Sequence, residues 1–180
     1  MLENVLEWIC YVTALLLVFS FPHARLGFLS WFAFVPLFLV LEHKSIKQVF
    51  VWSYLTGVLF WAGLIYWLVH VTLLGTIILV LYLALFFGVF GLLLAVFPGN
   101  IKRPVLSLFF IPSLWVLLEY LRSHLFTGFP WALLGYSQSS YLPLIQIADR
   151  TGSWGVSFLV MMINAAVFSA IRRRSLKKIL

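Results

Sequence analysis

Apolar residues run along this chain in long blocks, interrupted at short intervals by Gly, Pro and basic residues. The blocks fall at about 5–21, 28–41, 48–70, 72–97, 105–125 and 153–171. Several have the roughly 17–25 residues that a helix needs to cross about 30 Å of hydrocarbon. The pattern predicts an all-α integral membrane protein, a polytopic bundle of about six transmembrane helices in one domain over 1–180. The first two blocks are short. Pro22 and Gly27 break the chain between them, and Pro36 interrupts the second, so the pair forms either a tilted spanning hairpin or a re-entrant one. Both return the chain to its starting side.

Composition agrees with the pattern. A hydrophobic share of 64% and a charged share of 9% exclude a soluble globular domain, where about 45–50% apolar and about 25% charged residues are usual. The net charge of +7 does not indicate nucleic acid, because the basic residues lie in the connections and leave no basic face. Lys44, Lys47, Lys102, Arg103, Arg172, Arg173, Arg174, Lys177 and Lys178 fall on one set of connections, and Arg25, Arg122 and Arg150 on the other. The excess of Lys and Arg places loops 42–47 and 98–104, the N-terminus and the C-terminal tail in the cytoplasm. Loops 22–27, 70–72 and 126–152 then face outward. The N-terminus lacks the basic start and small-residue cleavage site of a signal peptide, so the first helix is expected to be retained.

Small and polar residues within the blocks mark packing faces. Ala84, Gly88, Gly91 and Ala95 recur at i, i+4, i+7 and i+11, a stripe along which another helix approaches closely, and Ser53 with Gly57 repeats it on the third block. Ser157 and Asn164 share one face of the last block, in reach of hydrogen bonds to other helices.

Candidate chemistry concentrates in 119–138, EYLRSHLFTGFPWALLGYSQ. Glu119 and Arg122 are one helical turn apart, with Trp115 and Ser123 beside them. An ionised side chain at the bilayer centre costs roughly 2.5–3.5 kcal/mol. Such a couple is either an ion pair locking its helix in place or snorkelling outward, or a polar anchor beneath the outer loop that holds a lipid headgroup or a catalytic domain. Thr127-Gly128-Phe129-Pro130-Trp131 ends the helix, since Gly and Pro break it. Trp131, Tyr136, Tyr141 and Trp154 suit an interfacial aromatic belt, whereas the length of loop 126–152 suits a functional segment. His23, His70 and His124 match no metal-ligand spacing. No phosphate-binding loop or nucleophile elbow occurs, and Cys10 reads as a small buried hydrophobe. No cofactor, metal or catalytic residue is expected in this chain.

Three stretches resemble the bacterial apolipoprotein N-acyltransferases: the Phe21-Pro22 break with Gly27, the run WAGLIYWLVH at Trp61–His70, and the region from Trp115 to Asn164. In that last region WVLLEYLRSHLFTGFPWALLGYSQ is followed by PLIQIADRTGSWGVSFLVMMIN. The resemblance covers nearly the whole chain. It implies an enzyme of the bacterial cytoplasmic membrane that moves an acyl chain from a phospholipid, through a cysteine thioester, to the N-terminal amine of a diacylated apolipoprotein. The Glu, Lys and Cys of that chemistry belong to an outward nitrilase-like domain that follows a seventh helix. Here Leu180 falls where that helix should begin, so the expectation is a truncated or split form whose membrane module is not catalytic alone. By the motif match, Glu119, Arg122, Gly128, Phe129, Pro130, Trp131, Gly135, Tyr136 and Gln138 are candidates for positioning substrate, with phospholipid, apolipoprotein and a separate nitrilase-like half as partners. Two alternatives stand beside this: a membrane scaffold recruiting a partner through loop 126–152, and a small transporter using Glu119 as proton carrier.

Overall fold

The computed structural model describes residues 2–21, 26–42, 44–97 and 104–177. Pro22, His23, Arg25, Lys102, Arg103, Lys178 and the side chains of Glu3, Glu7 and Lys177 lie outside the described residues. All elements within them are helical. They are α1 (Leu2–Ser20), α2 (Val35–Leu41), α3 (Ile46–Leu64), α4 (Leu73–Val96), α5 (Pro104–His124), α6 (Leu142–Ile145) and α7 (Ala148–Lys177). Short 3-10 turns occupy Gly27–Trp31, Tyr66–His70 and Leu134–Gln138. Among the described residues three helical stretches, Leu73–Val96, Val105–His124 and Ala148–Arg174, are long and apolar enough to cross a membrane by length and composition. Cys10–Ser20 and Gly27–Leu41 are shorter apolar stretches. The chain is a helical membrane protein.

Local chemistry sets the boundaries. Ser45 and Gln48 form a capping box at the start of α3, satisfying backbone donors of the first turn. Thr72 accepts from the Gly75 N–H (3.3 Å) and caps α4. Gly152, at φ 66° and ψ −175°, breaks α7 near its start.

The seam between α3 and α4 is built on the small residues. A Cβ on Gly57 would lie 2.8 Å from Phe87 Cβ, and one on Gly88 would lie 2.8 Å from the Phe50 ring. Gly91 faces the Ser53 hydroxyl with no room for a methyl group. α5 packs against α7, and α1 against α3. The centre is aromatic: Phe34, Phe87 and Phe90 surround Trp115 with ring centroids 4.7, 5.1 and 5.0 Å away, all in edge-to-face contact. Cys10 lies in the buried core.

The second apolar block is not one helix. The 3-10 turn Gly27–Trp31 is followed by a bend and the 7-residue α2. Such backbone survives in apolar surroundings only if its freed polar groups find partners, and two side chains supply them through three hydrogen bonds. Asn164 Oδ1 accepts from the Phe34 N–H (2.9 Å), and its amide donates to Ser30 O (2.8 Å). Thr13 Oγ1 accepts from the Leu37 N–H (3.1 Å). The polar face read from Ser157 and Asn164 is thus the face that holds the broken hairpin and, through Ser157, the loop described next.

Candidate functional site

α5 carries Glu119 and Arg122 toward its C-terminal end, and both are buried, at 2% and 4% exposure. They do not form a direct ion pair, and burial excludes snorkelling. Glu119 Oε1 accepts from Trp115 Nε1 (3.0 Å), one turn back on α5, and from the backbone N–H of Leu134 (2.6 Å). Arg122 Nη1 donates to Phe129 O (2.8 Å) and Trp131 O (2.7 Å), and its guanidinium sits 4.9 Å from the centre of the Trp61 ring. Phe129 N–H returns a bond to Arg122 O (2.9 Å). The two charged side chains therefore clasp one fold-back of the chain between 129 and 134, each through different backbone groups.

That fold-back is tight. Phe126 and Ala132 adopt left-handed φ values of 54° and 52°, as does Gly128 at 70°, where non-Gly residues are strained by about 1–3 kcal/mol each. A Cβ on Gly128 would collide with Ser123 O. Strain of this kind persists only where the surroundings enforce it, and the carbonyl grip of Arg122 does so.

Beyond Leu134 the loop is pinned to two further elements. Gly135 N–H donates to Ser157 Oγ (2.8 Å) on α7, and a Cβ on Gly135 would stand 2.5 Å from Ser153 O. Gln138 is fully buried, and its amide donates to Gly27 O (2.8 Å) and Ser30 Oγ (2.7 Å) while accepting from Trp31 Nε1 (3.1 Å). Ser137 joins the same network through Ser30 (3.0 Å). Gly27 faces Ser137 O so closely that no Cβ fits.

A cavity of about 20 Å³ lies under the clasp, lined by Trp61, Trp115, Glu119, Arg122 and Leu134 among others. It has room for one water-sized group. Two buried atoms of its lining residues, Glu119 Oε2 and Trp61 Nε1, have no hydrogen-bond partner in the protein. Ser157 stands beside the carboxylate, and accepting the Gly135 N–H leaves its own O–H to point toward Glu119.

The nine sequence candidates separate into two groups. Glu119, Arg122, Gly128, Gly135 and Gln138 form the interior scaffold of the loop, joined by the Phe129 backbone. Pro130, Trp131 and Tyr136 are exposed on its surface. Trp131 stacks on Trp67 (5.7 Å between centroids), which brings the turn after α3 against this loop, and meets Phe129 in a tilted contact (5.3 Å). Phe129 contacts Trp61 at 5.8 Å. Trp61, Ser157, Ser30 and Gly27 complete the arrangement but were not singled out as site residues by spacing, since each comes from an element remote in sequence. His70 and His124 are exposed, and among the described residues no group of His, Cys, Asp and Glu is arranged to hold a metal.

The family model described as "Apolipoprotein N-acyltransferase N-terminal domain" matches residues 13–166. The apolipoprotein N-acyltransferase of Geobacter metallireducens is 41% identical over 172 residues, covering 89% of this chain and 32% of that protein. That of Coxiella burnetii is 38% identical over 110 residues, 61% of this chain and 22% of that protein. That of Chlorobaculum tepidum is 34% identical over 162 residues, 87% of this chain and 30% of that protein. The chain spans a third or less of the length of these relatives.

Proposed function

The chain belongs to the apolipoprotein N-acyltransferase N-terminal domain family, and from that membership we propose that it is the substrate-positioning membrane module of such an enzyme. It sits in the bacterial cytoplasmic membrane as a multi-pass protein with loop 126–152 facing outward, following the asymmetry of Lys and Arg. Phospholipid and diacylated apolipoprotein meet at this outer loop, beneath a nitrilase-like catalytic domain that supplies the cysteine, the base and the cation of the thioester route. Bond making belongs to that domain, and this module positions the acyl chain and the headgroup.

The observation that carries this reading is the use made of two buried ionisable side chains. Glu119 and Arg122 contact the backbone of 129–134, where they hold a strained, exposed turn bearing Pro130 and Trp131. A carboxylate and a guanidinium inside an apolar bundle are expensive and mark function by default. Their position under a rigid aromatic shelf of Trp131 and Trp67 supports a surface that must keep its shape against a lipid or a second domain.

The test is mass spectrometry of a model lipoprotein in cells depleted of their own enzyme. These 180 residues expressed alone leave the lipoprotein diacylated, and co-expression with a nitrilase-like catalytic half restores triacylation. Triacylation by these residues alone would refute the reading. A scaffold role is separated by deleting 126–133: unchanged recovery of the catalytic half would remove recruitment from the loop's duties.

A further inference from the structure

The cavity of about 20 Å³ under the clasp brings together two polar atoms that the loop does not use. Trp61 on α3 and Glu119 on α5 both line it, and each is 2% exposed. Trp61 Nε1 is a buried donor and Glu119 Oε2 a buried acceptor, and neither has a partner in the protein. Glu119 Oε1 is already taken by the Trp115 indole and the Leu134 N–H. The Ser157 hydroxyl turns toward the carboxylate but makes no bond with Oε2. Burying two such groups unpaired is costly, and apart from Arg122 the rest of the lining is hydrocarbon, as at Phe60, Phe87 and Leu118.

We propose that one water molecule is held in this cavity as part of the clasp, accepting from Trp61 Nε1 and donating to Glu119 Oε2. The volume admits one water and little more, and two polar partners are enough to hold it. Charge decides against the other small occupants. A cation would suit the carboxylate but oppose the indole N–H and the Arg122 guanidinium, and an anion would meet the reverse conflict at Glu119. A hydrocarbon group would leave both atoms unpaired. Water alone donates to one and accepts from the other at no cost in charge. The bridge adds a hydrogen-bonded tie between α3 and α5 to the ring contacts that Trp61 makes with Arg122 and Phe129. It also fixes the carboxylate through both oxygens, so that Oε1 stays aimed at the Leu134 N–H. The site rests on the clasp geometry and not on the proposed function, so the two fail independently.

The experiment is nuclear magnetic resonance of the protein in deuterated detergent, with its tryptophans labelled at the indole nitrogen and the Trp61 signal assigned by its loss in Trp61→Phe. The Trp61 indole N–H is expected to show a cross-peak at the water frequency whose sign reverses between NOE and ROE spectra, as a held water requires and proton exchange does not. Absence of that peak would overturn the site. Glu119→Leu removes the acceptor and should abolish the peak. If that variant proves unfolded, Leu118→Phe fills the cavity from α5 and carries the same expected loss. Retention of the peak at parent intensity by the folded variant would overturn the bridge, since the signal would then be relayed from the Arg122 guanidinium. In Trp61→Phe, which keeps a ring but loses the donor, hydrogen exchange at the Leu134 amide should accelerate by about fivefold. Unchanged exchange would overturn the water's part in the clasp.

Discussion

The backbone N–H of Leu134 reaches Glu119 Oε1 at 2.6 Å, so a carboxylate buried one turn before Arg122 determines where the loop re-enters the bundle. The same oxygen receives the Trp115 indole. Removing it leaves two buried donors without an acceptor, at roughly 1–3 kcal/mol each. Glu119→Leu is therefore expected to lower stability in detergent by about 2–4 kcal/mol, measured by thermal or denaturant unfolding. Glu119→Gln retains a carbonyl acceptor and should recover more than half of the loss. Equal stability of Glu119→Leu and the parent would remove the clasp.

Arg122 is expected to resist replacement by Lys. One Nη1 atom holds two carbonyls, those of Phe129 and Trp131, while the planar group covers the Trp61 face. A lysine ammonium offers a point charge without the plane. Arg122→Lys should raise protease cleavage within 125–133 severalfold while leaving the helical content unchanged by circular dichroism. A double-mutant cycle of Arg122→Gln with Trp61→Leu should return a coupling of about 0.5–2 kcal/mol for the cation–π contact.

Three glycines give an ordered series. Gly135 and Gly128 both face backbone oxygens that a Cβ would strike, and Gly128 also has a positive φ. Gly152 shares the positive φ, at 66°, but a Cβ there meets only Trp154 Cε3 at 3.8 Å. Alanine at Gly135 should lower stability by about 1–3 kcal/mol, as overpacking does. Alanine at Gly152 should lower it by about 1–3 kcal/mol through backbone strain alone, since φ 66° with ψ −175° is a region essentially reserved for glycine. Alanine at Gly128 meets both terms and should cost the most. A melting temperature of Gly128→Ala no lower than those of the other two would mean that close approach and backbone angle do not add there.

Asn164 ties the broken hairpin to α7 through Phe34 N–H and Ser30 O. Asn164→Leu keeps the volume but strands one buried donor and one buried acceptor. Hydrogen exchange at the Phe34 amide should then accelerate by at least about tenfold, corresponding to roughly 1.4 kcal/mol of lost protection. Thr13→Val should act on the Leu37 amide alone. Unchanged exchange at both amides would show the hairpin to be held by packing only.

The residue pattern by itself determined that this is a helical membrane protein, because apolar blocks of spanning length have no other stable form in lipid. It also determined which faces pack closely, since 3.6-residue periodicity fixes the direction in which Gly88, Gly91, Ser157 and Asn164 point from their own axes. The grouping of Glu119 and Arg122 beside a Gly/Pro-broken loop was legible for the same reason. Tertiary structure alone decided what those side chains touch. Helical spacing suggested that Glu119 and Arg122 could pair with each other, but the loop folds back between 129 and 134 and offers each a backbone partner instead. Trp61 beneath Arg122, and Gly27 and Ser30 around Gln138, come from elements whose placement depends on how helices cross and how an aperiodic loop closes. Periodicity encodes the direction of a side chain about its own helix, and nothing in it encodes the neighbour that arrives from elsewhere in the chain.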